Sequence, residues 1–492
     1  MQHARTKAAV KVLIAAAVWQ TAACTDETSL QPRRLLPTTD YSAAVAQIAS
    51  SRVPDEQLAK LDSAVGGFGG LRFDADGALS LFLRDTNDLE RRKGLVRAYV
   101  ESNGRRVSKI RIAHGDFTFR DLLAWKQQIM SRNISGVTVA SARGATNQLW
   151  IGVLNESARA AVRSAATSLG IPSTAIDVSI FEPFLLVPGD SDNGSPPPPP
   201  PPPPPSYSLS SAIQPFAAGL QILLVAGTTR AYCTMGPNVV RQRSDVVSGW
   251  LRPEFTGDQF FITAAHCTKT PGGLDYDLVY QPDDAPGNSA IGSEYGDPPL
   301  FTSSYQPRCP AGRRCQWADA ALIVISPFSK SSARPGDYLT TKFDNPNAIT
   351  GTSYVTQNFA PFPGDLVYKT GANSGTTSGT VSNNCADVAI FEIIPNGTRD
   401  TGRTMLCQAL SSNFARNGDS GGIVWGDYGT YSNQHWLLGI VGGGNRDGTA
   451  MFFSRWDWVW QVLNQDNGLQ RGVYWEPCPL SETSYQVGGH CP

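Results

Sequence analysis

Ten consecutive prolines occupy positions 196–205, and no other feature limits the chain as strongly. Proline fixes φ and donates no backbone hydrogen bond, so such a run cannot enter a helix or the interior of a sheet. It forms a polyproline II rod rising ~3.1 Å per residue, here a semi-rigid spacer about 30 Å long. The rod lies in a linker over 189–211 that separates a cysteine-free region, 30–188, from a cysteine-bearing region, 212–492. Charged residues are only 17% of the chain and the formal net charge is −1, so no basic field points to nucleic acid. Hydrophobic residues are 41%, enough for each region to build its own core.

The first 24 residues read as an export segment. Arg5, Lys7 and Lys11 flank or precede the apolar run 12–19, which is too short to span a bilayer. Thr21-Ala22-Ala23-Cys24 resembles a bacterial lipobox, with threonine where leucine is usual, and that resemblance implies a lipid on Cys24. Ordinary cleavage near Ala23 is the other reading. Both place the chain in the cell envelope or outside the cell, with a lipid at Cys24 its one expected membrane contact.

The chain has nine cysteines. With Cys24 set aside, Cys233, Cys267, Cys309, Cys315, Cys385, Cys407, Cys478 and Cys491 remain, an even set in an exported chain that reads as four disulfides. Eight cysteines allow 105 pairings. Pairing in chain order gives 233–267, 309–315, 385–407 and 478–491. The spacing of Cys309 and Cys315 does not suit zinc, and neither metal nor cofactor is expected.

The first region reads as a small α+β domain. Residues 71–85 alternate about an Asp-Gly turn and predict a hairpin. Residues 148–155 predict a strand, 156–172 a helix with Ala158, Val162, Ala165 and Leu169 on one face, and 175–181 a second strand. Gly170 and Pro172 end the helix. His114 is its one histidine and reads as a surface residue. The second region carries short apolar runs at 259–265, 320–326, 365–371, 422–426 and 435–443 between glycine, proline and asparagine turns. This pattern predicts an all-β barrel or sandwich, with a late helix from Trp456.

Within that region, Gly418-Asp419-Ser420-Gly421-Gly422 places a serine among three glycines. A serine hydroxyl becomes nucleophilic only with a base to take its proton and a third group to orient the base. Of five histidines, His266 ends an apolar strand beside Cys267; His435 also begins a strand but has no companion motif. Asp319 directly precedes the buried-strand pattern of 320–326 and is the best-placed orienting acid. The order His266, Asp319, Ser420 differs from that of subtilisin-like chains and of α/β-hydrolases, and Ser420 sits in no G-x-S-x-G elbow.

Residues 263–267 (TAAHC), 317–325 (WADAALIVI) and 418–422 (GDSGG) resemble the three motifs of chymotrypsin-fold serine peptidases. Residues 364–381 resemble the streptogrisin-like bacterial branch. The likeness covers roughly 215–465. It implies an all-β double barrel, a His266, Asp319 and Ser420 triad, and an oxyanion hole from the backbone N–H groups of Gly418 and Ser420. It also implies a buried Lys369–Asp419 pair in place of a new N-terminus. Gly442, Gly443 and Gly444 stand where substrate backbone binds and predict an open, flexible wall. Phe414 falls at the base of the primary pocket, which argues for an apolar substrate side chain rather than lysine or arginine. The expected partner is a protein or peptide substrate, and the expected state a monomer. The first region resembles the pro-regions of bacterial peptidases, which assist folding or block the site. The competing reading is a catalytically silent binding or adhesion module on the same barrel.

Overall fold

The alternation read at 71–85 appears as β1 (Phe68–Phe73) and β2 (Leu79–Leu83), which follow α1 (Ser42–Ala49) and α2 (Pro54–Val65). Gly77 closes the hairpin at φ 75°, a left-handed backbone that costs glycine little. This is a computed structural model of the chain. It describes residues 40–51, 53–186, 208–247, 250–326, 329, 333–394, 397–427, 434–464 and 473–476. The export segment with Cys24, the proline run and the cysteines at 478 and 491 lie outside the described residues.

After α3 (Leu89–Ser102), β3 (Ile110–His114) joins β2 in parallel. Thr118 then caps α4 (Phe119–Ser131) through a capping box with Asp121. β4 (Val137–Arg143) pairs antiparallel with β5 (Gln148–Val153), and α5 (Glu156–Ser168) crosses to β6 (Ile176–Ile180), which is parallel to β5. The buried face of α5 is Ala158, Val162 and Ala166, with Ala165 and Leu169 at its margin. A short strand, β7 (Phe184–Leu185), ends the region.

The second region starts at β8 (Phe216–Ala218), β9 (Gln221–Ala226), β10 (Thr229–Thr234), β11 (Asn238–Val247) and β12 (Trp250–Thr263). β13 (Leu278–Tyr280), β14 (Gly292–Gly296), β15 (Arg314–Gln316) and β16 (Ala321–Ile325) follow. Next come β17 (Ala333–Lys342), β18 (Asn345–Asn358), β19 (Leu366–Gly371) and the long hairpin of β20 (Gly375–Ile394) and β21 (Gly397–Ser411). β22 (Ile423–Gly426), β23 (Gln434–Asn445), β24 (Met451–Arg455), α6 (Trp456–Asn464) and β25 (Val473–Glu476) complete it. One sheet runs β10-β9-β13-β14-β16-β12-β11-β25 and the other β15-β21-β24-β23-β22-β19-β20 before continuing into β4-β5-β6. Residues 216–464 thus form a double-barrel, all-β arrangement preceded by an α+β region.

The two regions share one sheet and part of one core. β20 pairs with β4 at Asp387 and Val388. Phe362 of the second region is buried against Phe73 and Tyr99 of the first, edge to face at centroid distances of 6.0 and 6.4 Å. Lys126 donates to Asp55 at 3.0 Å and lies 3.1 Å from Asp387, while Arg308 reaches Asp55 at 3.0 Å and Asp387 at 3.5 Å. Each region therefore brings one cation and one anion to a buried cluster.

Candidate active site

Strand register brings the first two candidate side chains together. In the antiparallel pair of β12 and β16, Thr263 faces Ala321, so the residues after β12 and those before β16 emerge at the same end. His266 lies in a single 3₁₀ turn, 265–267, tied to β10 by the Cys233–Cys267 disulfide. Asp319 stands two residues before β16. The His266 Nδ1 is 2.5 Å from Asp319 Oδ2, and the His266 backbone N–H donates to Asp319 Oδ1 at 3.0 Å.

Ser420 comes from the other sheet, in the turn before β22. Thr234 of β10 joins the halves: its N–H donates to Ser420 O at 2.8 Å and its hydroxyl to Gly418 O at 2.7 Å. His266 Nε2 lies 2.8 Å from Ser420 Oγ. Asp319 is fully buried, and His266 and Ser420 are 5% and 4% exposed. Burial pushes the Asp319 carboxyl up, but His266, its hydrogen bonds and Arg403 outweigh this and hold it below its ordinary value.

The fold has counterparts among solved structures. The chain is similar to chymotrypsin-like bacterial serine proteases. Thermobifida fusca Protease A is 20% identical over 53% of this chain and 97% of that one, with a TM-score of 0.30. Nocardiopsis protease is 19% identical over 53% and 98%, with a TM-score of 0.31. Cellulomonas bogoriensis chymotrypsin is 19% identical over 52% and 96%, with a TM-score of 0.30. No family model and no curated protein matches the chain.

Gly418 takes φ 88°, and its N–H and that of Ser420 donate to no backbone carbonyl among the described residues. Asp419, beside the serine, points away into the core. Lys369 Nζ donates to its Oδ2 at 2.7 Å, and the N–H groups of Asn373, Ser374 and Arg416 donate to the same carboxylate at 2.9, 3.0 and 2.9 Å. The Ser374 hydroxyl completes the set. Lys369 and Asp419 are both fully buried, and burial lowers the Lys369 ammonium below its ordinary value despite Asp419.

A cavity of about 500 Å³ opens beside Ser420, walled by Phe414, Arg416, Gly443, Gly444, Asn445 and Arg446 among others. The expectation of an open, flexible glycine wall is corrected here. A Cβ on Gly442 would fall 2.2 Å from the Phe452 ring, so that glycine is a packing contact and does not line the cavity. A Cβ on Gly443 would meet Leu185 O at 2.5 Å. β7 covers this wall: Leu185 pairs with Gly444 and Phe184 with Asn445, antiparallel, and Leu185 lines the cavity. No local motif announces a strand from 184–185 at this place, because its pairing partner lies some 260 residues away in sequence.

Three of the four cysteine pairs are disulfides, 233–267, 309–315 and 385–407; the 478–491 pair falls outside the described residues. His114 is exposed, and His435 is buried by stacking on Trp425. Asp275, Asp277, Glu294 and Asp297 crowd the loop after His266, yet among the described residues no three such groups are placed to hold a metal.

Proposed function

We propose that this chain is an exported serine endopeptidase. The observation that carries the reading is the pair of contacts at His266, 2.8 Å to Ser420 Oγ on one nitrogen and 2.5 Å to Asp319 on the other. In this mechanism Ser420 Oγ attacks the scissile carbonyl while His266 Nε2 takes its proton. The imidazolium then protonates the leaving amine, which departs to leave an ester on Ser420, and water reverses the sequence. Asp319 holds the tautomer with the proton on Nδ1 and stabilises the imidazolium. The N–H groups of Gly418 and Ser420 are the donors for the oxyanion, each worth roughly 10²–10³ in rate. Lys369 neutralises Asp419, so the turn that presents Ser420 holds its shape without a free N-terminus.

The cavity beside Ser420 serves as the primary substrate pocket, and the Phe414 ring favours an apolar side chain. The first region acts as an inhibitory pro-region, because β7 occupies the edge of β23 that a substrate strand would take. The three disulfides suit an oxidising compartment outside the cytoplasm.

The test is covalent labelling by a fluorophosphonate, with Ser420→Ala as control. Labelling lost in the variant is the expected result. A folded chain freed of its first region that still does not label overturns the enzyme reading and leaves a binding module.

A further inference from the structure

Taking the peptidase reading as its basis, a further question is what fixes the orienting acid. The Asp319 carboxylate receives its close contacts from His266, the group it must itself orient, and one long contact from Gln316 Nε2 at 3.4 Å. The main chain is held more firmly. The Asp319 N–H donates to Ser454 Oγ at 2.9 Å, and that hydroxyl donates to Gln408 Oε1 at 2.9 Å. Gln408 Nε2 donates in turn to Trp317 O at 2.8 Å and Leu406 O at 2.7 Å. Gln408 and Ser454 are fully buried.

We propose that Gln408 and Ser454 are positioning residues for Asp319, a buried clamp that grips the 317–319 backbone from two sides. Both sit on the sheet that carries Ser420: β21 and β24 are paired strands, with Ala409 facing Phe453 beside them. His266 and Asp319 extend from the other sheet. The clamp therefore anchors the acid to the half of the molecule that holds the nucleophile. Gln408 Nε2 has two carbonyl acceptors, Gln408 Oε1 one hydroxyl donor, and Ser454 Oγ one donor and one acceptor, so the amide and hydroxyl orientations are determined by the hydrogen-bond pattern itself. A displacement of the acid by a fraction of an ångström tilts the imidazole, and misplacement on the order of 1 Å costs about 10²-fold in rate.

The experiment uses the full chain and compares wild type with Ser454→Ala, which loses the link, and Ser454→Thr, which keeps a hydroxyl. Gln408→Met is the second variant if the alanine protein does not fold. Two readouts are taken on folded protein: the fluorophosphonate labelling rate, measured before and after limited proteolysis of the first region, and the low-field proton NMR signal of His266 Nδ1–H, assigned by its loss in His266→Gln. Expected is a fall of about 10–100-fold in labelling with broadening or loss of the signal in Ser454→Ala, and retention of both in Ser454→Thr. A folded Ser454→Ala protein with the wild-type signal and labelling rate overturns the clamp. A wild-type chain that shows the signal, loses it in Ser454→Ala and labels nothing even after limited proteolysis has removed its first region sinks the peptidase reading while supporting the clamp.

Discussion

Asp297 shows how one residue can oppose the stability of the region around it. Its Oδ2 accepts from Gly272 N–H at 2.9 Å and from the Thr268 hydroxyl at 3.1 Å, while its Oδ1 has no partner. Burial pushes this carboxyl well above its ordinary value, and Glu294 and Asp319 nearby add to the effect. A carboxyl whose folded pKa is raised favours the fold below its unfolded pKa, and that contribution is lost as pH rises through the folded value. Asp297→Asn removes the charge and keeps an acceptor. The expected outcome is a Tm about 2–4 °C above wild type at pH 8, with the gain shrinking toward pH 4 as the wild-type carboxyl takes up its proton. Differential scanning calorimetry across that range measures it; a constant difference at all pH values contradicts the account.

At the scale of elements, the decisive contact is the edge of β23. Gly443 allows β7 to approach, and the backbone of Leu185 fills the space that a side chain at 443 would need. Gly443→Ala sets a Cβ 2.5 Å from Leu185 O and 2.9 Å from the Phe452 ring, and such overpacking costs roughly 1–3 kcal/mol. β7 has only two residues; it also pairs with β20, and Phe184 packs on Phe452, so the clash at Leu185 O is relieved by a shift of this short strand while the long barrel strands stay in place. The variant should lose hydrogen-exchange protection at Phe184 and Leu185 while β22 and β24 keep theirs. Equal loss across all three strands would mean that the barrel, not the strap, gave way.

At the scale of the whole molecule, the Lys126, Asp55, Asp387 and Arg308 cluster holds the two regions together. Charge is balanced within each region as well as across the contact, so the regions can part without leaving either with an unpaired buried ion. Burial raises the Asp387 carboxyl, but Lys126 and Arg308 outweigh this and leave it below its ordinary value. Its contribution is therefore present above the unfolded pKa and lost as pH falls through the folded one. Lys126→Met leaves two acids facing one cation, and breaking a buried pair in this way costs about 3–5 kcal/mol. Limited proteolysis should then cut the first region faster than in wild type, and Asp55→Asn added to Lys126→Met should recover part of the protection. Unchanged cleavage in the single variant would show that the shared sheet and Phe362 carry the contact alone.

The features legible in the residue order are local ones. Periodicity and turn residues mark β5, α5 and β6, and the short apolar runs mark β16, β19 and β22, because side-chain alternation and glycine or proline chemistry act over a few residues. The side chains singled out at 266, 319 and 420 lie within hydrogen-bonding reach, since each sits in a short motif whose residues the chemistry needs side by side. The tertiary structure alone decided what depends on distant segments meeting: β7 on the edge of β23, packing of Gly442 on Phe452 where an open wall was expected, and the Gln408 and Ser454 clamp on Asp319. Gln408 and Ser454 look like ordinary strand residues until β21 and β24 pair, because a hydrogen bond between residues far apart in the chain leaves no periodic or compositional mark in either stretch.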